Sequence, residues 1–424
     1  MNYLDVVPLV VAWFIFVSLM YIASRGKLKD SVKIYYGLAI IVRGKENVEK
    51  ILRTLKRPLE KMPSKFISAI TSIIFMITML FLIPVPLLLF PTLQNSKLVL
   101  FKYFLYSPTV IIVRNTFLVF ESVLHHISPA QVVNMGFMTL QPVIPGVTVT
   151  LYTFLLIIVT AGISILVHEI AHGTVALRYN IPIVSGGFFT SFFILMGGFV
   201  EPDEEKLNSS PLQTRLAVYS AGVVSNILLA LLTVVIYEIA KVVTIGTGYP
   251  LGLVVVKSKV AQIPPGSIVL SVGGLHVYNI YDMFPVLSAL FNKCQYTHTL
   301  LLKVLTPNHR IMLVPLQVKS CAIYDIIRSV SLNSMNIGGI LTVENTLFYQ
   351  FLFWLFNLNI TLALLNALPA YPVDGGQFLY ALLTEVIESE KARKLILYTL
   401  SVLFWSGLLL TIMYTFKAGL YVVG

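Results

Sequence analysis

Two histidines and a glutamate carry the clearest chemical signal in the sequence. His168-Glu169-Ile-Ala-His172 has the form HExxH. Residues i and i+4 of a helix lie on one face, so both imidazoles can reach one metal ion. Glu169 adjoins the first histidine and can hold an activated water without being a ligand itself. The spacing predicts a zinc site in which His168 and His172 are ligands and Glu169 is the general base.

The setting of this short motif strengthens the prediction, because HExxH also occurs by chance. The motif lies near the end of an apolar stretch, Val149–Leu177. Charged and polar side chains inside a membrane span are costly and usually functional. The alternative is a pair of buried histidines bonded to backbone carbonyls, which leaves Glu169 unexplained.

A catalytic zinc needs a third protein ligand and one open position. The remaining histidines lie outside the apolar stretches: His125, His126, His276, His298 and His309. The segment from Asn366 to Gly376, NALPAYPVDGG, instead combines helix-breaking prolines with two glycines around Asp374. Irregular backbone at membrane depth occurs where it is buried or lines a cavity, so Asp374 is the candidate third ligand. The alternative is an ordinary turn with Asp374 as the N-cap of the next helix.

Composition indicates which elements must position these residues. Of the 424 residues, 57% are hydrophobic and 12% are charged, against about 25% charged in an average soluble domain. This excludes an ordinary cytosolic enzyme and a disordered chain, and predicts an integral multi-pass membrane protein. Six stretches are long and apolar enough to span: Val6–Ile22, Phe66–Phe90, Val149–Leu177, Leu216–Ala240, Leu347–Leu368 and Leu395–Phe416.

A seventh stretch, Lys97–Phe120, is a poor candidate span. Lys102 and Arg114 interrupt it, and charges at mid-membrane are costly. We expect an amphipathic or partly buried segment there.

The positive charge of the chain indicates its orientation. Twelve Lys and Arg but only four acids lie in residues 24–65, which hold most of the net charge of +11. Apolar stretches flank this segment, so it is a cytosolic loop by the positive-inside rule and not a nucleic-acid surface. Following the spans from there brings both His168 and Asp374 to the cytosolic side.

Two further segments differ from the spans. Ile183–Val200 has paired glycines at both ends and predicts a hairpin or re-entrant segment. Tyr249–Cys321 predicts a small α+β module, with a short helix at Asp282–Phe291 and strands at Leu251–Val256, Ser267–Val272 and Thr299–Leu305. Its two cysteines, Cys294 and Cys321, could pair or be free thiols.

Together these motifs resemble those of the site-2 protease family of intramembrane zinc metalloproteases. The family has HExxH in one span, GxxxN in a second and NxxPxxxxDG in a later one. Here the second motif is Gly222-Val-Val-Ser-Asn226, and Val373 replaces the usual Leu before Asp374. The resemblance covers about residues 143–424 and is closer to eukaryotic members, although their animal cysteine-rich insertion is absent.

The resemblance implies one Zn²⁺ per chain, bound by His168, His172 and Asp374. It implies that Glu169 is first a general base and then the acid that protonates the leaving amine. Asn226 and Asn366 are candidates for substrate or oxyanion contact. Gly222, Pro369 and Gly375 are supporting motif residues, and the β-rich module looks like a PDZ domain.

The implied architecture is an α-helical polytopic membrane protein of about six transmembrane helices with an inserted PDZ-like α+β domain. We expect an N-terminal membrane region (1–145), a first catalytic membrane half (146–245), the PDZ-like domain (246–325) and a second catalytic half (326–424). We expect an integral multi-pass membrane protein in contact with membrane lipid, with its active site toward the cytosolic side. If the chain is eukaryotic, the expected location is the ER or Golgi membrane.

The implied activity is cleavage of transmembrane segments of single-span proteins that another protease has already shortened, such as membrane-tethered transcription factors. One alternative is a catalytically inactive homologue that binds membrane proteins. Another is a CAAX-processing type of membrane zinc protease, with Glu385 or Glu388 as third ligand. A transporter is disfavoured, since the sequence has no repeated halves.

Overall fold

The computed structural model describes most of the chain. The described residues are 6–25, 31–44, 46–82, 108–128, 131–132, 143–145, 149, 151–193, 195–246, 252–255, 262–264, 266–278, 282, 298–318 and 347–417. They form two compact units, the first comprising residues 1–123, 138–231 and 355–423 and the second residues 124–137, 232–354 and 424.

Helices dominate the described chain. They are α1 (Val6–Ser24), α2 (Glu46–Glu60), α3 (Ser64–Leu82), α4 (Pro108–Leu124), α5 (Leu151–Arg178), α6 (Glu204–Asn208), α7 (Leu212–Gly246), α8 (Leu347–Asn366), α9 (Asp374–Val386) and α10 (Glu390–Lys417). The strands are β1 (Val32–Tyr35), β2 (Ala39–Gly44), β3 (Ile183–Ser191), β4 (Leu195–Pro202), β5 (Leu253–Val254), β6 (Ile268–Val272), β7 (Leu275–His276), β8 (His298–Leu305) and β9 (Ile311–Val318).

Four of the described helices are long and apolar enough to cross a membrane: Leu151–Arg178, Leu212–Thr244, Leu347–Asn366 and Glu390–Phe416. At most 28% of the apolar window of each is buried, so most of that apolar surface is available to lipid. A bent pair, Val48–Glu60 with Ser64–Met79, would make a fifth. The helical membrane architecture is therefore confirmed, while the count of six spans stays a prediction.

The first two predicted spans correspond only in part to helices of the structure. Val10–Ser24 is apolar but shorter than a full span. The helix α3 covers the first part of Phe66–Phe90, and the prolines at 84 and 86 lie outside the described residues. Of the segment Lys97–Phe120, residues 108–120 lie in α4, where Asn115 is completely buried while Phe117 and Phe120 are exposed.

The hairpin predicted at Ile183–Val200 is present as the antiparallel pair β3–β4. It is part of a four-stranded antiparallel sheet in the order β1-β2-β3-β4. The paired glycines have steric causes. A side chain at Gly187 would overlap the Val42 carbonyl of β2, and one at Gly198 would lie 2.9 Å from Cγ of Glu169.

The basic segment has more structure than a loop, because β1, β2 and α2 all lie within it. Strand β2 extends the hairpin through pairs such as Val42 with Phe188. In α2 a completely buried Leu52 packs in one cluster with Val175 and Ala217 of α5 and α7. The charged residues of this amphipathic helix stay largely outside that cluster, as helical periodicity requires.

A second core cluster joins α3, α7, α8 and α9. Phe75 and Phe378 stack with ring centroids 4.4 Å apart. Leu216, Val223, Ala363 and the loop residues Ala367, Leu368 and Ala370 complete the cluster. The small alanines let helices approach closely, as is common in membrane bundles. This packing sets the start of α9 against α7.

The second unit contains a sheet in the order β5-β6-β8-β9, with β7 paired to β6. Its strands β5, β6 and β8 lie within or next to the three predicted runs, whereas β7 and β9 were not predicted. Asp282 is the only described residue of the predicted helix Asp282–Phe291, and both cysteines lie outside the described residues. The likeness to a PDZ domain stays a prediction.

Candidate metal centre

The HExxH residues lie on one helix, α5, toward its C-terminal end. His168 and His172 lie one turn apart and are both buried. Their Nε2 atoms are 3.1 Å apart and their rings meet edge to face, with centroids 4.7 Å apart. The two imidazoles therefore converge on one point, as the i and i+4 spacing requires.

Asp374 reaches the same point from α9, 202 residues further along the chain. Its Oδ2 atom lies 3.1 Å from Nε2 of His168 and 3.2 Å from Nε2 of His172. Asp374 is the first residue of α9, whose N-cap is Val373, so the N-cap alternative for this aspartate does not describe the structure.

The glycines of the NALPAYPVDGG segment allow this approach. A side chain at Gly375 would lie 2.5 Å from the Ala367 carbonyl oxygen, and one at Gly376 would lie 2.5 Å from that of Ala370. Neither position has room for a Cβ atom. The start of α9 therefore packs directly on the backbone of the preceding loop, which brings Asp374 to the histidines.

Gly222 of α7 faces both imidazoles. A methyl group there would lie 2.5 Å from Nε2 of His168 and closer still to Nε2 of His172. The glycine of the GxxxN motif thus leaves the space in which the two ligand atoms meet.

The Nδ1 atom of each histidine also has a hydrogen-bond partner. Nδ1 of His172 lies 2.7 Å from the Val218 carbonyl oxygen. A carbonyl only accepts, so Nδ1 carries a proton, and in the neutral imidazole Nε2 then has its lone pair toward Asp374. Nδ1 of His168 lies 2.8 Å from Oδ1 of Asn226. Such partners orient metal-binding histidines and fix their tautomer.

Asn226 therefore lies behind a predicted ligand. It is completely buried, and its Nδ2 donates to Oδ1 of Asn359 at 2.9 Å. This geometry fits a residue that orients His168 rather than substrate or oxyanion contact, the role considered from the sequence. Asn359 was not singled out by sequence, although a polar residue inside the apolar helix α8 is itself a signal.

The donor set fits a zinc ion. Three acceptor atoms from His168, His172 and Asp374 all lie within 4.8 Å of one another in the described residues. Without a cation, two lone pairs and a carboxylate would face each other unfavourably. Tetrahedral Zn²⁺ with bonds of about 2.0–2.1 Å places its ligand atoms roughly 3.3 Å apart, close to the separations found here.

Glu169 lies beside this cluster without belonging to it. Its Oε2 accepts a hydrogen bond of 2.8 Å from the backbone N–H of Val200 in β4. It also lines a cavity of about 510 Å³ whose other walls are apolar residues and backbone of α1, α2, α5, β3 and β4. The glutamate is thus half-buried between the metal ligands and an apolar space.

The remaining candidates lie elsewhere in the first unit. Asn366 ends α8, is half-buried and does not belong to the metal-ligand group found in the described residues. Pro369 belongs to the loop that α9 packs against. The carboxylate of Glu385 pairs with Arg215 at 3.0 Å and is half-exposed. Neither Glu385 nor Glu388 is part of the metal-ligand group found in the described residues.

Comparison with known proteins identifies the family. The sequence profile of peptidase family M50 matches residues 155–407. The uncharacterized protein MJ0971 of Methanocaldococcus jannaschii is 27% identical over 221 residues, which make up 51% of this chain and 54% of that protein. The chain thus matches about half the length of that relative. Since the profile covers more than half of the chain and includes all three clustered residues, the chain belongs to peptidase family M50, the site-2 protease family of membrane-embedded metalloproteases.

Proposed function

We propose that this member of peptidase family M50 is an intramembrane zinc metalloendopeptidase that cleaves transmembrane segments of single-span membrane proteins. The observation that carries the proposal is the convergence of His168, His172 and Asp374 at 3.1–3.2 Å, with Glu169 beside them, in an apolar helix bundle. The proteases of this family depend on zinc, and this donor set suits that ion.

His168, His172 and Asp374 would hold the zinc ion. The ion supplies Lewis acidity, which activates water and polarises the scissile carbonyl. Glu169 takes a proton from the attacking water and passes it to the leaving nitrogen. The Val200 N–H holds Oε2 of Glu169, which leaves Oε1 to move the proton.

A substrate helix must be extended before attack, because peptide bonds in a helix are shielded. Strand β4 is the last in the order of its sheet among the described strands, and its Val200 contacts the proposed general base. An extended substrate segment added along such an edge would be held by main-chain hydrogen bonds. Apolar side chains of that segment suit the cavity beside Glu169.

The proposed substrates are proteins that another protease has already shortened, including membrane-tethered transcription factors. In a eukaryotic cell the enzyme would lie in the ER or Golgi membrane with its active site toward the cytosol. The charge distribution in residues 24–65 supports this orientation.

The test is cleavage of a single-span substrate in proteoliposomes together with zinc content. Glu169→Gln should retain zinc and lose cleavage by at least about 100-fold, the lower range for a general acid–base. Glu388→Gln is the matched control, since Glu388 lies outside the metal cluster. Undiminished cleavage by Glu169→Gln would refute the mechanism, and zinc binding without cleavage of any substrate would favour the inactive homologue.

The third ligand distinguishes the proposal from a CAAX-processing enzyme. Asp374→Ala should lose bound zinc, because Asp374 supplies one of three clustered donor atoms. Glu385→Ala should retain it, since Glu385 pairs with Arg215. The opposite pattern of zinc content would favour the CAAX type.

A further inference from the structure

A chain of side-chain hydrogen bonds runs behind His168 and crosses three helices. Nδ1 of His168 meets Oδ1 of Asn226 on α7 at 2.8 Å, and Nδ2 of Asn226 meets Oδ1 of Asn359 on α8 at 2.9 Å. Nδ2 of Asn359 then donates to Oγ of Ser164 on α5 at 2.9 Å. Asn226, Asn359 and Ser164 are all completely buried, where polar groups need partners.

The direction of this chain is fixed at the Asn359 end. Nδ2 of Asn359 also lies 2.7 Å from the Leu355 carbonyl oxygen, and a carbonyl can only accept. The Ser164 hydroxyl donates to the Thr160 carbonyl at 2.8 Å, so its oxygen is free to accept from Asn359. Both hydrogens of the Asn359 amide are thereby used, and its Oδ1 must face Asn226.

The hydrogen bonds of Asn359 determine how the Asn226 amide is turned and, through it, which nitrogen of His168 carries the proton. Because Asn359 offers an acceptor, Asn226 must turn its Nδ2 toward Asn359 and its Oδ1 toward His168. An oxygen at Nδ1 requires that Nδ1 carry a proton, so in the neutral imidazole Nε2 has the lone pair. That Nε2 is the atom 3.1 Å from Asp374. Asn359 thus selects the metal-binding tautomer of a residue that it does not touch.

We propose that Asn359 is a positioning residue of the metal centre, which acts through Asn226 to hold His168 as a zinc ligand. This inference rests on the proposed zinc site and deepens it. Loss of such outer partners typically lowers metal affinity about 10- to 100-fold. We therefore expect a reduction of that size when Asn359 can no longer accept from Asn226.

The test is zinc affinity by chelator competition in the full chain, with the visible spectrum of bound Co²⁺ as a second readout. Asn359→Leu should weaken zinc binding about 10- to 100-fold and change the Co²⁺ bands. Asn359→Ser guards against misfolding, because a serine hydroxyl can donate to the Leu355 carbonyl of its own helix yet is too short for Asn226. Asn115→Leu, at another completely buried asparagine, is the control and should leave both readouts unchanged.

A double-mutant cycle separates positioning from general packing. If Asn359 acts through Asn226, then Asn226→Leu together with Asn359→Leu should bind zinc no more weakly than Asn226→Leu alone. Additive losses, or unchanged affinity and spectrum in the folded single variants, would overturn the inference. Absence of zinc from the wild-type chain would instead refute the proposed function, so the two failures are distinguishable.

Discussion

Gly222 occupies the position on α7 that faces both metal-binding imidazoles. Its lack of a side chain is as necessary to the centre as the three donor atoms are. The two Nε2 atoms and Oδ2 of Asp374 lie 3.1–3.2 Å apart, and the space beside them is only as wide as a glycine allows. The candidate metal centre therefore depends on the missing side chain at Gly222 as well as on the three donor atoms.

The Gly222→Ala substitution should therefore be more harmful than a glycine-to-alanine substitution in an ordinary helix. In an ordinary helix interior alanine is favoured over glycine by roughly 1 kcal/mol. Here the new methyl would lie 2.5 Å from Nε2 of His168, so we expect zinc affinity to fall at least about 10-fold, as with other disturbed metal shells. Chelator competition measures this loss.

Gly162→Ala is the control for that experiment. Gly162 also lies in an apolar helix, α5, but a Cβ there meets nothing within 4 Å. Zinc affinity should be unchanged in this variant. Equal affinities for the two alanine variants would show that Gly222 does not set the space at the metal centre.

The element that most directly touches the proposed general base is the edge strand β4. Its Gly198 lets the strand lie against α5, and the backbone N–H of Val200 donates to one oxygen of Glu169. The sheet is completed by β1 and β2 from the basic segment. The segment that carries most of the positive charge thus also contributes two strands to the sheet beside the proposed active site.

Gly198→Ala should separate catalysis from metal binding. Its Cβ would lie 2.8 Å from Ile165 and 2.9 Å from Cγ of Glu169, which pushes the strand and the glutamate apart. We expect zinc content to stay near wild type while proteolysis falls about 10-fold or more, since small misplacements of catalytic groups are costly.

Gly44→Ala provides the comparison for the strand experiment. This glycine ends β2 in the same sheet, and a Cβ there meets nothing within 4 Å. The Gly44→Ala variant should match the wild type in both proteolytic activity and zinc content. Loss of zinc from Gly198→Ala would contradict the separate roles of strand and metal ligands.

The chain divides into two compact units that differ in their secondary structure. The first holds the candidate metal centre, and the second holds the five-stranded sheet. Four helices have the length and hydropathy of membrane spans. The orientation of these spans in a membrane rests on the basic segment, by the positive-inside rule.

Site-specific labelling should test this orientation. Tyr36, in the β1–β2 turn, is 97% exposed. In a chain with Cys294→Ser and Cys321→Ser, Tyr36→Cys should react with a membrane-impermeant maleimide only from the cytosolic side. The predicted span Leu216–Ala240 runs outward from the cytosolic side, so the β-rich module that follows it is expected on the opposite side. Leu275→Cys, half-exposed in that module, should therefore react only from the opposite side. Labelling of both from one side would refute the predicted orientation.

The amino-acid sequence by itself determined the class of protein and the candidate ligands. Apolar runs predict membrane helices because hydropathy is a local property, and HExxH predicts two converging histidines because helical periodicity is local too. The four longest helices in the described residues match predicted spans. The PDZ-like domain and the six-span count are finer statements that hydropathy alone does not decide.

The tertiary structure decided what surrounds those ligands. Nothing local in the sequence pairs His168 with Asn226, 58 residues away, or Asn226 with Asn359, 133 residues away. The same holds for β2 beside β3 and for Gly222 against two imidazoles. A motif specifies which atoms can bind a metal, whereas the orientation of those atoms depends on distant helices that only the folded chain brings together.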